Sequence, residues 1–146
     1  MNLSSHFTLS EFTASQTAER DLIDNDPPVD VIERLKHTAM GLEGVRTVLG
    51  TPIIISSGYR SLALNRAIGS NDTSQHITGE AVDFTAPGFG KPRQVMEKII
   101  ASGLYFDQCI LEFASRGNGW VHMSFVEGKG RHQALVIDHD GTRAWA

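Results

Sequence analysis

The chain has 146 residues, 40% of them hydrophobic and 21% charged, with a formal net charge of −4. That length supports one domain with a real core rather than two, and the composition is that of an ordinary globular protein and not of a disordered tail or a disulfide scaffold. The acidic balance, with no concentration of Lys and Arg, argues against nucleic acid as a partner, and the single cysteine rules out an internal disulfide.

The amino terminus, Met1-Asn2-Leu3-Ser4-Ser5-His6, has neither a basic region nor an apolar run, so no secretory signal is expected. No apolar stretch reaches the roughly 20 residues that span a bilayer, so membrane insertion is not expected. The reading is a protein made in the cytoplasm, whose work outside it needs another exit route. Its expected state is a monomer.

In chain order, Thr8 or Ser10 can cap a short helix that has Glu11 in its first turn. The next segment is polar and ends in Asn25-Asp26-Pro27-Pro28, a run that cannot continue a helix and reads as a loop. From Val29, the residues Val31, Ile32, Leu35, Ala39, Leu42, Val45, Val48 and Leu49 recur at three- and four-residue steps, predicting an amphipathic helix that ends near Gly50. Pro52 to Ser57 is β-branched and apolar and reads as a buried strand with a turn at Gly58.

A short helix is predicted over Leu62–Ile68, then a polar loop from Gly69 to Ser74 feeding His76. Ala81 to Thr85 has strand character. A second helix is predicted from about Pro92 to Ser102, closed by Gly103. Asp107–Ala114 and Trp120–Phe125 are apolar-rich runs joined by a Gly-containing linker and read as a hairpin, with Leu135–Asp138 as a last strand. Cys109, in the run Gln108-Cys109-Ile110-Leu111, reads as a small buried hydrophobe. The fold class predicted is α+β, with a mainly antiparallel sheet flanked by helices.

The segment Ser74-Gln75-His76-Ile77-Thr78-Gly79-Glu80-Ala81-Val82-Asp83 sets an imidazole in a loop and a carboxylate on a strand. A catalytic zinc site takes three ligands of the His and Asp/Glu kind and leaves a fourth position open. Trp120-Val121-His122-Met123-Ser124-Phe125 offers the third, because alternation sends Val121, Met123 and Phe125 to one face and Trp120, His122 and Ser124 to the other. His6, His37, His132 and His139 lack ligand-like spacing.

Ser-x-His-x-x-Gly-x-Ala-x-Asp followed by Trp-x-His resembles the zinc peptidases of the D-Ala-D-Ala carboxypeptidase and L-alanyl-D-glutamate endopeptidase family, with its hedgehog/DD-peptidase fold. The resemblance runs from about Pro52 to Phe125. It implies one zinc ion held by His76, Asp83 and His122, and peptidoglycan stem peptide as substrate. It also matches Ser56-Ser57-Gly58-Tyr59-Arg60-Ser61 to the family's segment whose Arg contacts substrate and stabilises charge, a role that falls to Arg60 and that suits a permanently charged fork. Ser74, Tyr59 and Trp120 are candidate substrate contacts.

Several family members carry a Glu three residues before the last His, where this chain has Gly119. Zinc hydrolysis needs a group that deprotonates water and protonates the leaving amine, and Glu112 is the nearest replacement. A three-residue loop Gly117-Asn118-Gly119 sets Glu112 opposite Ser124 and Ala114 opposite His122, with Glu112 on the His122 face and the core pairs Phe113–Met123 and Leu111–Phe125 on the other. A two-residue turn would bury Glu112 among apolar side chains. Glu80 and Asp138 are weaker substitutes.

The resulting expectation is a zinc peptidase acting on peptidoglycan, of the compact kind that resembles a phage or prophage endolysin and depends on a partner to open the membrane. Two alternatives stay open: a bacterial D-Ala-D-Ala carboxypeptidase or dipeptidase, and a non-catalytic zinc-stabilised binding module suggested by Gly119.

Overall fold

The computed structural model describes residues 1–146. Six helices are present: α1 (Leu9–Thr13), α2 (Gln16–Arg20), α3 (Val29–Leu49), α4 (Leu62–Ile68), α5 (Gln75–Thr78) and α6 (Pro92–Ser102). Six strands complete the fold: β1 (Ile54–Ser57), β2 (Ala81–Thr85), β3 (Gln108–Glu112), β4 (Trp120–Ser124), β5 (Gln133–Asp138) and β6 (Gly141–Ala144). They form one sheet in the order β1-β2-β4-β3-β5-β6. Every pairing is antiparallel except β3 with β5.

Helix α3 forms where the three-and-four spacing predicts it, burying Val31, Leu35, Ala39, Leu42, Val45 and Leu49, and Gly50 ends it in the left-handed conformation. Helix α6 starts with Pro92 in its first turn and turns Val95, Met96 and Ile99 inward. Both pack on the sheet face that carries Val82, Phe84, Cys109, Leu111, Val121 and Met123, all members of one buried cluster. Burial of each such side chain contributes about 1.5–3 kcal/mol. Cys109 lies in this cluster with its Sγ 3.2 Å from Met96 Sδ, and burial pushes its thiol pKa up, away from reactivity.

Several sequence expectations need correction. The Pro52–Ser57 run is a strand but not a buried one: β1 begins only at Ile54, lies at the sheet edge with β2 as its single neighbour, and leaves Ile54 55% exposed. A β-branched run looks the same at an edge as in a centre, because pairing is decided elsewhere in the chain. The run Asn25-Asp26-Pro27-Pro28 is the loop expected, and the polar segment ahead of it holds a five-residue helix that was not expected, α2, capped by the Ser15 hydroxyl on Ala18 N. The last strand is β6, not β5, and joins β5 through a turn at Asp138–Gly141. Of the two caps offered for the first helix, Thr8 is the one used, its hydroxyl accepting from Glu11 N while Thr8 N donates to the Glu11 carboxylate.

The hairpin register also differs. Glu112 pairs with Trp120, Ile110 with His122 and Gln108 with Ser124, so the connection spans residues 113–119 rather than three residues. The core-face pairs are Leu111–Val121 and Cys109–Met123. Phe113 leaves the ladder with φ +54°, its N–H turning to Ile137 O. The displacement from the expected register is an even number of residues, so Glu112 keeps its face.

Candidate metal centre

Asp83 and His122 meet because β2 and β4 pair in a register that makes them direct cross-strand partners. Side chains in such a position are about 5 Å apart at Cβ. His76 arrives from α5, a single helical turn just before β2. Ser74 caps that turn by accepting from His76 N, and Gly79 closes it. Helix α3 holds the turn from behind: Thr38 donates to Gly79 O at 2.7 Å and Arg34 Nε to Thr78 O at 2.6 Å. His76 therefore lies on a short helix and not in the polar loop, which ends at Ser74.

The ligating atoms of His76, Asp83 and His122 lie within 4.8 Å of one another. His76 Nδ1 is 2.6 Å from Gly58 O, and because a carbonyl only accepts, this nitrogen must carry the proton. Nε2 then presents its lone pair to Asp83 Oδ1 at 3.4 Å. With His76 neutral two acceptors face each other there, a contact that either a proton on Nε2 or a metal cation between them satisfies. His122 Nδ1 is 2.8 Å from the same carboxylate oxygen. The three residues thus fit a divalent metal in donor type, in spacing and in the carbonyl that fixes the His76 tautomer.

The electrostatics agree. Burial would raise the Asp83 pKa, but His76 and His122 hold it well below the usual carboxylate range. Burial acts to lower the His122 pKa, and the hydrogen bond and charge of Asp83, helped by Glu112, outweigh it and raise it. Asp83 is a permanent anion built into the sheet.

Arg60 stands at the rim of the triad. Its Nη2 is 3.6 Å from Asp83 Oδ2, while Nε donates to Ser57 Oγ and Nη1 to Asn65 Oδ1. An irregularity between Ile55 and Ser57 lets Ser57 pair with Asp83, which puts the hydroxyl under the guanidinium. Gly58 next door is required by space: a Cβ there would lie 2.5 Å from Phe12 O and 2.8 Å from Phe12 Cα. The Arg60 pKa is lowered by burial, against which Asp83 and Glu112 act.

Glu112 faces the same cavity, two residues along β3 from the partner of His122. Its Oε2 accepts from Trp120 Nε1 at 2.5 Å. Its pKa is raised, by burial first and by the Asp83 charge second, against the opposing pull of His122, Trp120 and Arg60. A carboxyl whose pKa is raised in a cavity beside candidate metal ligands is suited to proton transfer. Position 119 is closed to any side chain. Gly119 has φ +84°, and a Cβ there would collide with Glu112 O and lie 2.6 Å from the Phe113 carbonyl carbon.

The cavity has a volume of about 960 Å³ and is lined by Arg60, Ser74, Glu112 and Trp120 together with the three candidate ligands. Tyr59, expected as a groove residue, is placed elsewhere. It is 7% exposed within the apolar cluster and borders a different cavity, because its N–H is bound to Phe12 O. Glu80 bonds Thr78 Oγ1 at 2.6 Å and Asp138 pairs with Arg143, so neither faces the triad.

Sequence reading missed the residues that brace the site. Asn25, in the Asn-Asp-Pro-Pro loop, donates to Thr13 O and Tyr59 O and accepts from Ser61 N at 2.7 Å, gripping the backbone on both sides of Arg60. Asn65 is fully buried, orienting Arg60 and donating to Asn71 O. A polar residue inside the Leu62–Ile68 apolar stripe was the available signal.

A family model described as Peptidase M15 matches residues 5–124. The chain belongs to that family. No curated protein matches it. M15 peptidases are metal-dependent, typically on zinc, and the family places the chain among metallopeptidases with a six-stranded, helix-flanked fold. No helix is long and apolar enough to cross a membrane.

Proposed function

We propose that the chain hydrolyses an amide bond in bacterial peptidoglycan stem peptides, with one zinc ion held by His76, Asp83 and His122 and with Glu112 as the proton-transfer group. The observation that carries this reading is the position of Glu112, a carboxyl of raised pKa in the same cavity as three converging metal-ligand atoms.

A zinc ion held there supplies Lewis-acid activation of water and of the scissile carbonyl. Glu112 takes the proton of the attacking water and returns it to the departing amine nitrogen, a role for which an elevated pKa is useful in both directions. Arg60, braced by Ser57 and Asn65, offers guanidinium N–H groups to negative charge growing on the carbonyl oxygen. Trp120 holds Glu112 by its indole N–H and forms part of the wall against which peptide can lie.

The acid at 112 supports an enzyme over a zinc-stabilised binding module, since the departure at Gly119 is accompanied by a carboxyl on the adjoining strand. An endolysin-like role, reached with a partner that opens the membrane, fits this chemistry, as does a D-Ala-D-Ala carboxypeptidase or dipeptidase. Incubating chelated and zinc-restored protein with purified muropeptides tests the proposal. Peptide release that needs zinc is expected, and the new termini identify the bond. Zinc bound at one equivalent with no peptide released would overturn it.

A further inference from the structure

Away from the triad, the cavity is bordered by a second arginine, Arg131, on a segment to which the peptidase reading assigns no role. Its guanidinium is fixed by Asp107: Nε donates to Oδ1 at 2.9 Å and Nη2 to Oδ2 at 2.7 Å, and Arg131 N also donates to Oδ1 at 3.0 Å. Asp107 is 5% exposed in its side chain and takes a further bond from Gln75 Nε2 at 2.8 Å. Arg131 itself stays 56% exposed.

The neighbours reinforce this clamp. A Cβ at Gly130 would lie 2.7 Å from Asp107 Cα, so the loop can approach the strand only through glycine. His132 has φ +53°, donates its N–H to Phe106 O and stacks on the Phe106 ring at 4.2 Å between centroids. Three consecutive residues are thus pinned to Phe106 and Asp107, which holds the Arg131 guanidinium at the cavity edge.

A guanidinium has five N–H donors in a planar fork. Asp107 uses one on Nε and one on Nη2, and no other protein acceptor meets the Arg131 side chain. The remaining donors are free for a ligand. A long cation held this way has lost its conformational entropy in the unliganded protein, which lowers the cost of binding.

We propose that Arg131 is a specificity-determining residue that binds a carboxylate of the substrate peptide, so that the chain prefers acidic peptides; this rests on the peptidase reading of the cavity. Asp107 acts as its positioning residue. Asp107 lies three residues before Ile110, the cross-strand partner of His122, which is about 10 Å along an extended strand. Ile110 and Leu135, paired neighbours on β3 and β5, line the cavity as well and offer an apolar floor.

The test uses two stem peptides that differ at one glutamyl residue, which ends in a free carboxylate in one and in a carboxamide in the other. Zinc-loaded protein is expected to favour the carboxylate form in kcat/KM, mainly through KM, by about tenfold, as a charge-assisted pair of hydrogen bonds would give. Arg131→Gln should collapse that ratio toward one, and Arg131→Lys should retain part of it. Equal use of both peptides by the unaltered protein overturns the proposal, as does an Arg131→Gln protein that slows on both peptides alike and keeps the ratio. Calorimetric binding of the two peptides to Glu112→Gln protein reads the same preference without turnover. If that preference is present while no peptide is cleaved by the unaltered protein, the hydrolytic reading fails and the Arg131 site stands.

Discussion

The two faces of the sheet are built from the same strands and share almost nothing else. On one, Val82, Phe84, Val121, Met123, Cys109 and Leu111 are sealed under α3 and α6. On the other, Asp83, His122 and Glu112 border an open cavity with Arg60, Arg131 and the incoming His76. The alternation of a β-strand separates them, so Val82, Phe84, Val121, Met123 and Leu111 each have Asp83, His122 or Glu112 as an immediate chain neighbour. The contrast teaches how little backbone specification a site needs: once β2 and β4 pair in register to bury one face, Asp83 and His122 are brought together on the other.

Changes on the core face should cost stability first. Phe84→Ala removes a fully buried ring and is expected to lose about 3–5 kcal/mol in denaturant unfolding. A loss under about 1 kcal/mol would mean that the face is not packed as described.

The next effect comes from the junction between hairpin and site. Introducing Gly119→Glu into a Glu112→Gln background is expected to give no recovery of hydrolysis and to destabilise the fold by roughly 1–3 kcal/mol, because position 119 has a positive φ and no room for a Cβ. Recovery of activity would show that the carboxyl is free to come from either position.

Asp107→Asn should be milder, about 0.5–1 kcal/mol, through weakened bonds to the half-exposed Arg131 and to Gln75. The side-chain bond to Arg131 is the largest reason that the Asp107 pKa lies below its ordinary value. A depressed folded-state pKa contributes stability that is present above the unfolded value near 3.8 and is lost as pH falls through the folded value. Unfolding midpoints followed below about pH 4 should therefore fall more steeply in the unaltered protein than in the variant. Parallel curves would contradict the assignment.

Much of this was legible in the sequence, and the exceptions have physical causes. The periodicity of Val31 to Leu49 and the caps at Gly50 and Gly103 gave both long helices, since local spacing and termination determine a helix. The three candidate ligands were found through a motif and through the parity of His122, which needs no knowledge of partners. The edge position of β1, the parallel pairing of β3 with β5 and the seven-residue hairpin connection were not legible, because long-range pairing sets them. Glu112 kept its face despite the altered register because an even displacement preserves parity. Asn25 and the Asp107–Arg131 clamp act between segments distant in sequence, and single polar residues carry no local mark of such partners.

Proton transfer by Glu112 beside a metal held by His76, Asp83 and His122, as proposed above, is open to one decisive experiment. Measuring zinc stoichiometry and muropeptide hydrolysis on the same preparation of Glu112→Gln protein tests it most directly, since the substitution removes the carboxyl and keeps its shape. Zinc at one equivalent with hydrolysis reduced about 10²- to 10⁴-fold is the expected result. Zinc retained together with an unreduced rate would contradict it.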